Sequence, residues 1–541
     1  RYLDDRIPTL ALALAEHMNA DELKALATLT GPPTPTRKAD LVDHILRYLE
    51  GDRLQTLWQS LDEIQKAAVA EVVHSDGTAF PSQRFHAKYG RVPDFGTVRK
   101  YSRDGRPTPL RFFFFGGDER GGGLMPDDLK NRLRAFVPAP IHSEVKTLEQ
   151  LPAVYDRPFV RWDPVAKTNE RGTEAVPLVV RETERAAKRE LVSVLRLVDA
   201  GNVSVSDKTW RPSASTVDSI GAVLDGADYY PHEPPRDRWH QKNAGHIRAF
   251  AWPLLIQAGG LARLSGSKLQ LTKAGRRALA EPAANTLKDV WEKWCSTTIF
   301  DELSRIECVK GQTGKGKRSL TSVSSRRDAV ALALRECPAQ RWISADELAR
   351  FVEASSEALC VTRAPWDLYV CDPQYGSFGY ETWSRHLESR YLLCLLFEYA
   401  ATLGLIDVAY IPPAGARPDY HEMWGTDDMA YFSRYDGLMD FRINGLGAYC
   451  LGTAESYAPA PMEVKPVLRV LPNLEVAAIG AELEHGDRLA LDCYAERTSD
   501  VVWKLEATKL LAATEEGRTV GEIRQFLSAR SGAPLPDTVV R

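Results

Sequence analysis

The sequence predicts a mixed α/β chain, mainly helical with short β wings, in which several small domains follow one another. Two observations support this fold class. First, the 541 residues, 44% hydrophobic and 26% charged, have ordinary globular composition and are too many for one core. Second, amphipathic helical segments recur, and short strand-like segments bounded by glycine follow several of them. The charge pattern bears on function instead, because the middle of the chain is basic and its last third is acidic.

The first predicted domain, residues 1–53, is helical. Two amphipathic helices are expected near Leu10–Glu16 and Ala20–Leu29, and a third follows a Pro-rich loop. Thr36 is the expected N-cap of the third helix, and Asp40 adds a carboxylate near its positive end.

The arrangement of helix, Pro-rich loop and helix, with Arg37 and Lys38 where the last helix begins, resembles SAP-type DNA-binding modules. The resemblance implies that these two side chains contact the DNA backbone. Residues 1–50 hold six basic and eight acidic residues, so the alternative is a purely structural helical cap.

The second predicted domain covers residues 54–140. Its segments LDEIQKAAVAEVVHSDG and FPSQRFHAKYG are typical of helices, Leu110–Phe115 has strand character, and a further helix starts at Pro126. Helices and a strand in this order favour a winged-helix-like domain. Residues 141–180 are expected to form a linker.

The third predicted domain, residues 181–280, has a charge balance of +6, from 16 basic and 10 acidic residues. A helix ending at Gly201 is followed by the strand-like VSVS, the basic turn KTWRP and a helix capped by Ser213 or Ser215. Free N–H groups at a helix N-terminus suit phosphate. The candidate DNA-binding residues at this turn are Lys208, Thr209, Arg211, Ser213 and Ser215.

The same domain closes with a predicted wing. A helix, Gly259-Gly260, a strand, a turn at Gly266, the strand LQLT and a last helix follow in order. Lys268 and Lys273 lie at the tip and base of this wing, and Arg276 and Arg277 follow them. Winged helices also serve as protein-docking modules, and the positive charge balance favours DNA.

The fourth predicted domain, residues 281–460, is also winged-helix-like, with inserted loops. It has a long helix ended by Gly404, the strand LIDVAYIPP, an inserted loop over Arg417–Asp436, and two short strands around Asn444-Gly445. Six aromatic residues have core spacing: Trp383, Tyr391, Phe397, Tyr399, Trp424 and Tyr435.

Residues 461–541 are expected to form an α/β domain of strand, helix, strand and two helices. Three motifs carry this expectation. They comprise Leu468, Val470, Pro472, Asn473, Glu475 and Val476; then Trp503, Lys504, Leu505 and Glu506; then Gly517, Glu522, Ile523, Phe526, Leu527, Ser531, Leu535, Pro536 and Val539. This pattern resembles the helicase-associated domain that precedes the ATPase core of bacterial XPB-type helicases. The resemblance implies a DNA-remodelling context and assigns no catalytic residue.

No catalytic machinery is predicted. In GQTGKGKRS, Gly311, Gly316 and Lys317 satisfy GxxxxGK, but Arg318 stands where Ser or Thr must hold magnesium. The stretch is interpreted as a flexible basic loop that contacts phosphate, or as a disordered solvated loop. Its basic residues are Lys310, Lys315, Lys317 and Arg318, followed by Arg326 and Arg327.

A metal-dependent nuclease is also not expected. Asp440 with Glu463-Val464-Lys465 has the residue types D…ExK, but Glu144-Val145-Lys146 shows that the short motif arises easily. The sequence contains no HExxH and no GxSxG. Neither a cofactor nor a metal is predicted.

Bulk properties indicate the compartment. No apolar run approaches the roughly 18 to 20 residues that cross a bilayer, and the N-terminal stretch lacks the zones of a signal peptide. The eight cysteines never form CxxC, so we expect reduced, mostly buried thiols. A cytoplasmic protein is expected. Because the chain begins with Arg1, we also expect that it is a processed piece of a longer one.

The predicted function is a DNA-binding accessory subunit. The basic middle would bind duplex DNA with weak sequence preference, and the residues from Glu381 onward, 15 basic and 24 acidic, would dock a helicase (ATPase) or nuclease partner. A bacterial DNA-repair or phage-defence assembly is the expected setting. The alternatives are a protein-interaction scaffold that never contacts DNA, and the N-terminal fragment of a larger helicase.

Overall fold

The fold is mixed α/β, 46% helical and 14% strand, with small antiparallel sheets, which confirms the predicted class at this level. The computed structural model describes residues 6–32, 34–96, 107–116, 122–163, 167–230, 244–355, 359–380, 383, 385–427, 429–458, 467–479, 483, 485–515, 519–531 and 533–540. Two compact units divide the chain: unit 1 is Arg1–Glu144 with Arg350–Ala358, and unit 2 is Val145–Ala349 with Leu359–Arg541.

Unit 1 is built from short helices around one core. The helices are α1 (Leu10–Glu16), α2 (Ala20–Ala27), α3 (Lys38–Tyr48), α4 (Asp52–Ser60), α5 (Glu63–Val73), α6 (Ser82–Tyr89) and α7 (Asp127–Leu133), with 3-10 turns at Thr28–Thr30 and Pro109–Phe112. Leu41 and Ile45 from the first predicted domain and Val69 and Phe112 from the second belong to the same buried cluster. The expected boundary at residue 53 therefore does not separate two cores.

Two local predictions in unit 1 are wrong. Thr36 does not cap α3: the N-cap position is Arg37, without a side-chain cap hydrogen bond. The expected strand Leu110–Phe115 is mostly a 3-10 turn, with Phe115 alone bridging to Leu124. Pro109 starts that turn, and consecutive residues are buried without the alternation that a half-buried strand requires.

Unit 2 contains the remaining elements. Its helices are α8 (Glu184–Asp199), α9 (Ala214–Gly221), α10 (Arg248–Ala258), α11 (Lys273–Ala278), α12 (Ala283–Ser296), α13 (Gly314–Ser319), α14 (Val323–Glu336), α15 (Ala345–Ala354, which runs past residue 349), α16 (Arg385–Cys394), α17 (Gly445–Leu451), α18 (His485–Tyr494), α19 (Ala507–Glu515), α20 (Val520–Arg530) and α21 (Asp537–Val540). Glu302–Arg305 and Pro365–Asp367 are 3-10 turns, and Leu395–Ala400 is a π-helical continuation of α16.

Every strand pair in the sheets is antiparallel. The strands are β1 (Val154–Asp163), β2 (Thr168–Pro177), β3 (Val179–Arg181), β4 (Ala262–Ser265), β5 (Lys268–Leu271), β6 (Trp342–Ser344), β7 (Ile406–Tyr410), β8 (Leu438–Ile443), β9 (Leu468–Val470), β10 (Glu475–Ala478), β11 (Ala495–Arg497) and β12 (Val502–Leu505). The sheets have the orders β1-β2, β4-β5, β3-β7-β8-β6 and β11-β12-β10-β9.

The expected linker 141–180 is corrected by the structure. It contains the hairpin β1–β2, paired from Val154 opposite Pro177 to Asp163 opposite Thr168. Charged residues and two prolines interrupt the apolar alternation of these strands, so the sequence pattern did not indicate a hairpin.

One further correction concerns the segments that flank β7 and β8. Gly404, at φ 76°, ends the long helical segment as predicted, and β7 follows. The second strand expected after Asn444 is instead the helix α17. The Asn444 side chain accepts a hydrogen bond from the Gly447 amide at 2.9 Å, which is an N-cap and starts a helix.

The C-terminal elements β9 to α21 follow the predicted order, with the extra short strand β11 after α18. Their core includes Leu468, Val476, Trp503 and Leu527. All eight cysteines are free thiols: three are buried, three are partly buried, and Cys360 and Cys371 are exposed. No helix within the described ranges is both long and apolar enough to cross a membrane.

Candidate nucleic-acid interface

The hairpin β4–β5 has one buried face and one exposed polar face. Arg263 lies opposite Gln270, and Ser265 lies opposite Lys268. Successive side chains point to opposite faces of a strand, so Leu269 is buried while these four residues lie on the outer side. Arg263, Ser265, Lys268 and Gln270 are all exposed. The outer face is therefore polar and carries two cations.

The segment 259–280 carries five basic residues and no acidic residue. After β5, Thr272 caps α11 by accepting a hydrogen bond from the Gly275 amide at 3.1 Å. The helix start therefore holds Lys273 directly after the hairpin. The five exposed basic residues are Arg263, Lys268, Lys273, Arg276 and Arg277. Only Arg277 has a carboxylate partner described along this segment, Glu281 at 3.3 Å.

The basic turn before α9 lies beside the tip of this hairpin. The Val205 amide donates to the Ser267 carbonyl at 3.1 Å, and Ser204 bridges to Lys268. Amides of Lys208 and Thr209 donate to the Ser206 hydroxyl at 3.3 and 3.2 Å. The structure thus joins the segment that leads into the basic turn, which carries the exposed Lys208 and Thr209, to the tip of the hairpin. We call the exposed residues Lys208, Thr209, Arg263, Lys268, Lys273 and Arg276 the wing surface.

Ser213 is the cap of α9, as one of the two predicted candidates. Its hydroxyl accepts a hydrogen bond from the Thr216 amide at 3.2 Å and lies 3.1 Å from the Ser215 hydroxyl. The Thr216 hydroxyl in turn donates to the Ser204 carbonyl at 2.9 Å. Ser213 therefore already satisfies one of the helix N–H groups expected to be free, whereas Ser215 remains exposed.

Arg211 does not belong to the wing surface. Its guanidinium donates to the Ser304 hydroxyl at 2.8 Å and lies over the Phe300 ring, 5.6 Å from the centroid. Arg211 is only partly exposed, so we expect a structural role for it in place of the predicted phosphate contact. Ser304 lies 93 residues away in the chain, which no local pattern reveals.

The helix α10, between α9 and the hairpin, is buried on nearly every side. The Trp252 indole donates to Glu190 at 2.9 Å, and Arg248 forms an ion pair with the same carboxylate. Pairing of this kind is what a buried charge requires. This helix therefore offers no exposed face to a nucleic-acid groove.

The basic segment around α13 is an ordered turn of helix, which corrects the expected flexible or disordered loop. Lys310 donates to the Glu307 carbonyl at 2.7 Å, and Lys315 pairs with Asp367 at 3.0 Å. Lys317 and Arg318 are exposed. Two of the four predicted residues thus already have protein partners, and two present their charge to solvent.

The glycines of the GxxxxGK match have a packing role. A Cβ atom added to Gly311 would lie 2.2 Å from the Asp367 carbonyl oxygen, and one added to Gly316 would lie 2.0 Å from the Gly311 carbonyl oxygen. Only glycine fits at such distances. Close approach of α13 to the 3-10 turn 365–367 explains these residues without a phosphate.

Arg326 and Arg327 are core residues and cannot contact phosphate from the surface. Arg326 forms two hydrogen bonds with Asp301, at 3.0 and 2.7 Å. Arg327 donates to Glu302 at 2.6 Å and to the Phe300 carbonyl at 2.8 Å. Both arginines are 1% exposed. This part of the basic-loop interpretation is wrong.

Arg37 and Lys38 lie at the start of α3 in unit 1, and both are exposed. The Lys38 ammonium donates to the Ala15 carbonyl, at the end of α1, at 2.6 Å. This bond places a cation at the negative end of a helix, so Lys38 has a structural partner and Arg37 presents its charge at the surface.

The sequence interpretation missed two features. Arg263 shares the outer face of the hairpin β4–β5 with Lys268, and alternation in ARLS opposite KLQL was the available signal. Trp424, expected in the core, is exposed, as are Trp366, Tyr375 and Tyr380; aromatic residues in a long loop gave no signal of burial. Within the part of the chain that the structure describes, no cluster of His, Cys, Asp and Glu is arranged for a metal ion.

No protein-family model matches the chain, and no curated protein matches it either.

Proposed function

We propose that this protein is a DNA-binding accessory subunit that binds the phosphate backbone of duplex DNA through the wing surface. The observation that carries the proposal is the acid-free segment 259–280, whose five basic side chains are all exposed on or directly after one hairpin. Clustered cations that replace the counterions of DNA supply most of its sequence-independent affinity.

The order of elements supports a winged-helix assignment for residues 181–280. Helix α8, the short extended segment at 203–205, helices α9 and α10, and the hairpin β4–β5 follow in the order of that fold. The extended segment joins the hairpin through the Leu269 amide, which donates to the Val203 carbonyl at 2.9 Å. In this assignment the hairpin is the wing.

Weak sequence preference follows from the same geometry. Base sequence is read mainly by side chains that enter the major groove, often from a helix. Here α10 is buried, and the wing surface offers mainly lysine and arginine, which bind phosphate oxygens. Contacts of that kind position a protein on DNA without reading its sequence.

We propose that the C-terminal region docks the partner. Residues 461–541 resemble a helicase-associated domain, and the residues from Glu381 onward carry a net charge of −9, which disfavours contact with DNA and favours contact with a basic protein surface. The partner proposed is a helicase or nuclease of a bacterial repair or defence assembly. This chain would hold the DNA while the partner performs the chemistry.

The test is binding of a labelled mixed-sequence duplex, measured by fluorescence anisotropy at low salt. The test variant reverses four charges of the wing surface: Arg263→Glu, Lys268→Glu, Lys273→Glu and Arg276→Glu. We expect its affinity to fall about 100-fold or more, because four phosphate contacts are lost and four repulsions are added.

A matched variant controls for net charge. It makes the same total change at exposed basic residues outside the wing surface: Arg53→Glu, Arg91→Glu, Arg469→Glu and Arg524→Glu. We expect this control to lose much less affinity. An unchanged affinity in the wing variant, or no duplex binding by the wild-type protein, would overturn the proposal and favour a scaffold that contacts only proteins.

A further inference from the structure

Aromatic side chains are exposed at a single place in the described part of the chain. Four aromatic residues there are classed as exposed: Trp366 at 59%, Tyr375 at 54%, Tyr380 at 41% and Trp424 at 55%. All four belong to the segments 359–380 and 411–427 of unit 2. A cluster of large exposed aromatic rings is unusual on a surface that has no binding role.

The first group of rings is Trp366, Tyr380 and Trp383. The centroids of Trp366 and Tyr380 are 5.0 Å apart, and those of Tyr380 and Trp383 are 5.1 Å apart. The Trp366 indole lies directly on the backbone of Gly379, where an added Cβ atom would be 2.0 Å from the ring. One face of the indole is thereby fixed, while more than half of the side chain remains exposed.

The second group is Tyr375 and Trp424, with ring centroids 5.7 Å apart. The Cys371 thiol lies 3.1 Å from the Gly425 carbonyl oxygen, which ties the two loops together beside these rings. The Tyr380 hydroxyl donates to the Gln374 carbonyl at 3.2 Å. This bond connects the first group of rings to the segment that carries the second.

A basic segment, which includes Lys310 and α13, packs against the loop that carries Trp366. The Lys310 amide donates to the Tyr369 carbonyl at 2.7 Å, and Gly316 of α13 lies against the Asp367 carbonyl oxygen, 3.2 Å from an added Cβ atom. Helix α13 therefore packs on the turn that carries Trp366. The Arg363 amide donates to the Ser319 carbonyl at 2.9 Å, which places Arg363 beside the end of α13.

The side of the ring cluster next to α13 is positive, whereas Trp424 lies between the exposed acidic residues Glu422 and Asp427. Between Glu307 and Asp328 the chain has six basic residues and no acidic residue. Two of the six are buried, and Lys317 and Arg318 are exposed in α13, as is Arg363 nearby. We call Trp366, Tyr375, Tyr380, Lys317, Arg318 and Arg363 the aromatic-basic surface.

We propose that the aromatic-basic surface binds single-stranded DNA, with bases stacked on the exposed rings and phosphates beside Lys317, Arg318 and Arg363. Proteins that bind single strands combine a basic groove with aromatic stacking platforms in this manner. Duplex DNA fits less well, because its bases are already stacked on one another and do not present their faces. The cations favour a polyanion over an apolar protein partner.

This site shares no residue with the wing surface, so each surface can be changed without altering the side chains of the other. A protein with both would bind the two forms of DNA at different places, as a subunit acting on a partly opened duplex requires.

The test measures anisotropy of a labelled oligothymidine of about 20 nucleotides, long enough to cover a single-strand site, and of a duplex of the same length. We expect Trp366→Ala to weaken single-strand binding about 10-fold or more, because stacking of one base contributes on that order. Trp366→Phe keeps a ring and should retain most of the affinity. Duplex binding should be unchanged in both variants.

Two further variants complete the design. Replacing the exposed Leu511 by alanine, Leu511→Ala, is the control for loss of an apolar surface side chain and should leave single-strand binding unchanged. The charge-reversed wing variant should lose duplex binding and keep single-strand binding. Thermal melting of each variant checks folding.

Equal single-strand affinity of the Trp366→Ala and wild-type proteins would overturn the proposal, as would no single-strand binding by the wild type. The proposal would also be overturned if the charge-reversed wing variant lost binding of both duplex and single-stranded DNA, because the single strand would then bind at the wing surface. A wild-type protein that binds only single strands would retain this site and refute the proposed duplex function.

Discussion

Two basic stretches of similar composition differ in how far the fold exposes their side chains. The stretch 259–280 holds five basic residues, and all of them are exposed. The stretch 310–327 holds six, of which Arg326 and Arg327 are buried in ion pairs. A count of charges along the sequence treats these stretches alike. Burial separates the cations that can bind phosphate from those that stabilise the core.

The difference has a structural cause. In the first stretch a two-stranded hairpin leaves one face exposed, and its cations occupy the positions that point outward. In the second, α14 packs beside the turn Glu302–Arg305, so that Arg327 meets Glu302 and the carbonyl groups at the end of α12. Arginine suits this place because its planar guanidinium forms several hydrogen bonds at once.

The largest expected effect is on stability, from breaking the buried pair. We expect Arg327→Met to lower the free energy of unfolding by about 3–5 kcal/mol, because it leaves the Glu302 carboxylate buried without its cation. Urea unfolding followed by circular dichroism measures this change.

Arg318→Met is the matched control, since Arg318 is a basic residue of the same stretch at the surface. It should change the free energy of unfolding by less than about 0.5 kcal/mol. Similar losses in the two variants would contradict the contrast between buried and exposed cations.

A second stability effect depends on pH. Burial and the nearby Asp346 raise the pKa of Asp440 to about 6, from 3.8. The folded state thus binds this proton more tightly than the unfolded state, so stability falls as pH rises from about 4 to about 6 and stays lower above that range. Asp440→Asn removes this loss of stability, because the amide side chain does not titrate.

We expect Asp440→Asn to be more stable than the wild-type protein by about 1–3 kcal/mol at pH 7.5, since each tenfold change in proton affinity corresponds to about 1.4 kcal/mol. Below about pH 4 the advantage should disappear. Unfolding curves at both pH values measure it; an advantage that does not change with pH would refute the assignment to this carboxyl group.

Substitution of Arg211 should have a smaller effect on stability, and it tests whether a basic residue with protein partners contributes to DNA binding. Its guanidinium is bonded to Ser304 and lies over Phe300, so we expect Arg211→Ala to cost about 1 kcal/mol of stability. Duplex affinity should change less than about twofold, against a clear loss for Lys268→Ala. If Arg211→Ala weakens DNA binding as much as Lys268→Ala does, Arg211 belongs to the interface after all.

Much of the fold could be predicted where the signal is local. Ser213 caps α9 and Gly404 ends a helix because capping depends on neighbouring residues. Alternation around Gly266 predicted the wing hairpin. The hairpin β1–β2 and the helix after Asn444 were missed, since charged strands and a glycine-rich helix start give weak patterns.

The candidate site was predictable in part for the same reason. Lys268, Lys273 and Arg276 follow from the pattern of the hairpin and the helix after it. The partners of Arg211, Arg326 and Arg327 lie 25 to 93 residues away. Only the folded chain reveals them, because tertiary packing brings those residues together.

The measurement that tests the central claim most directly is the salt dependence of duplex binding by the wild-type protein and the charge-reversed wing variant. The logarithm of affinity should fall linearly with the logarithm of salt concentration, with a slope of about −0.9 for each phosphate contact. We predict that the variant slope is shallower than that of the wild type by about three to four. Equal slopes for the two proteins would contradict binding through the wing surface.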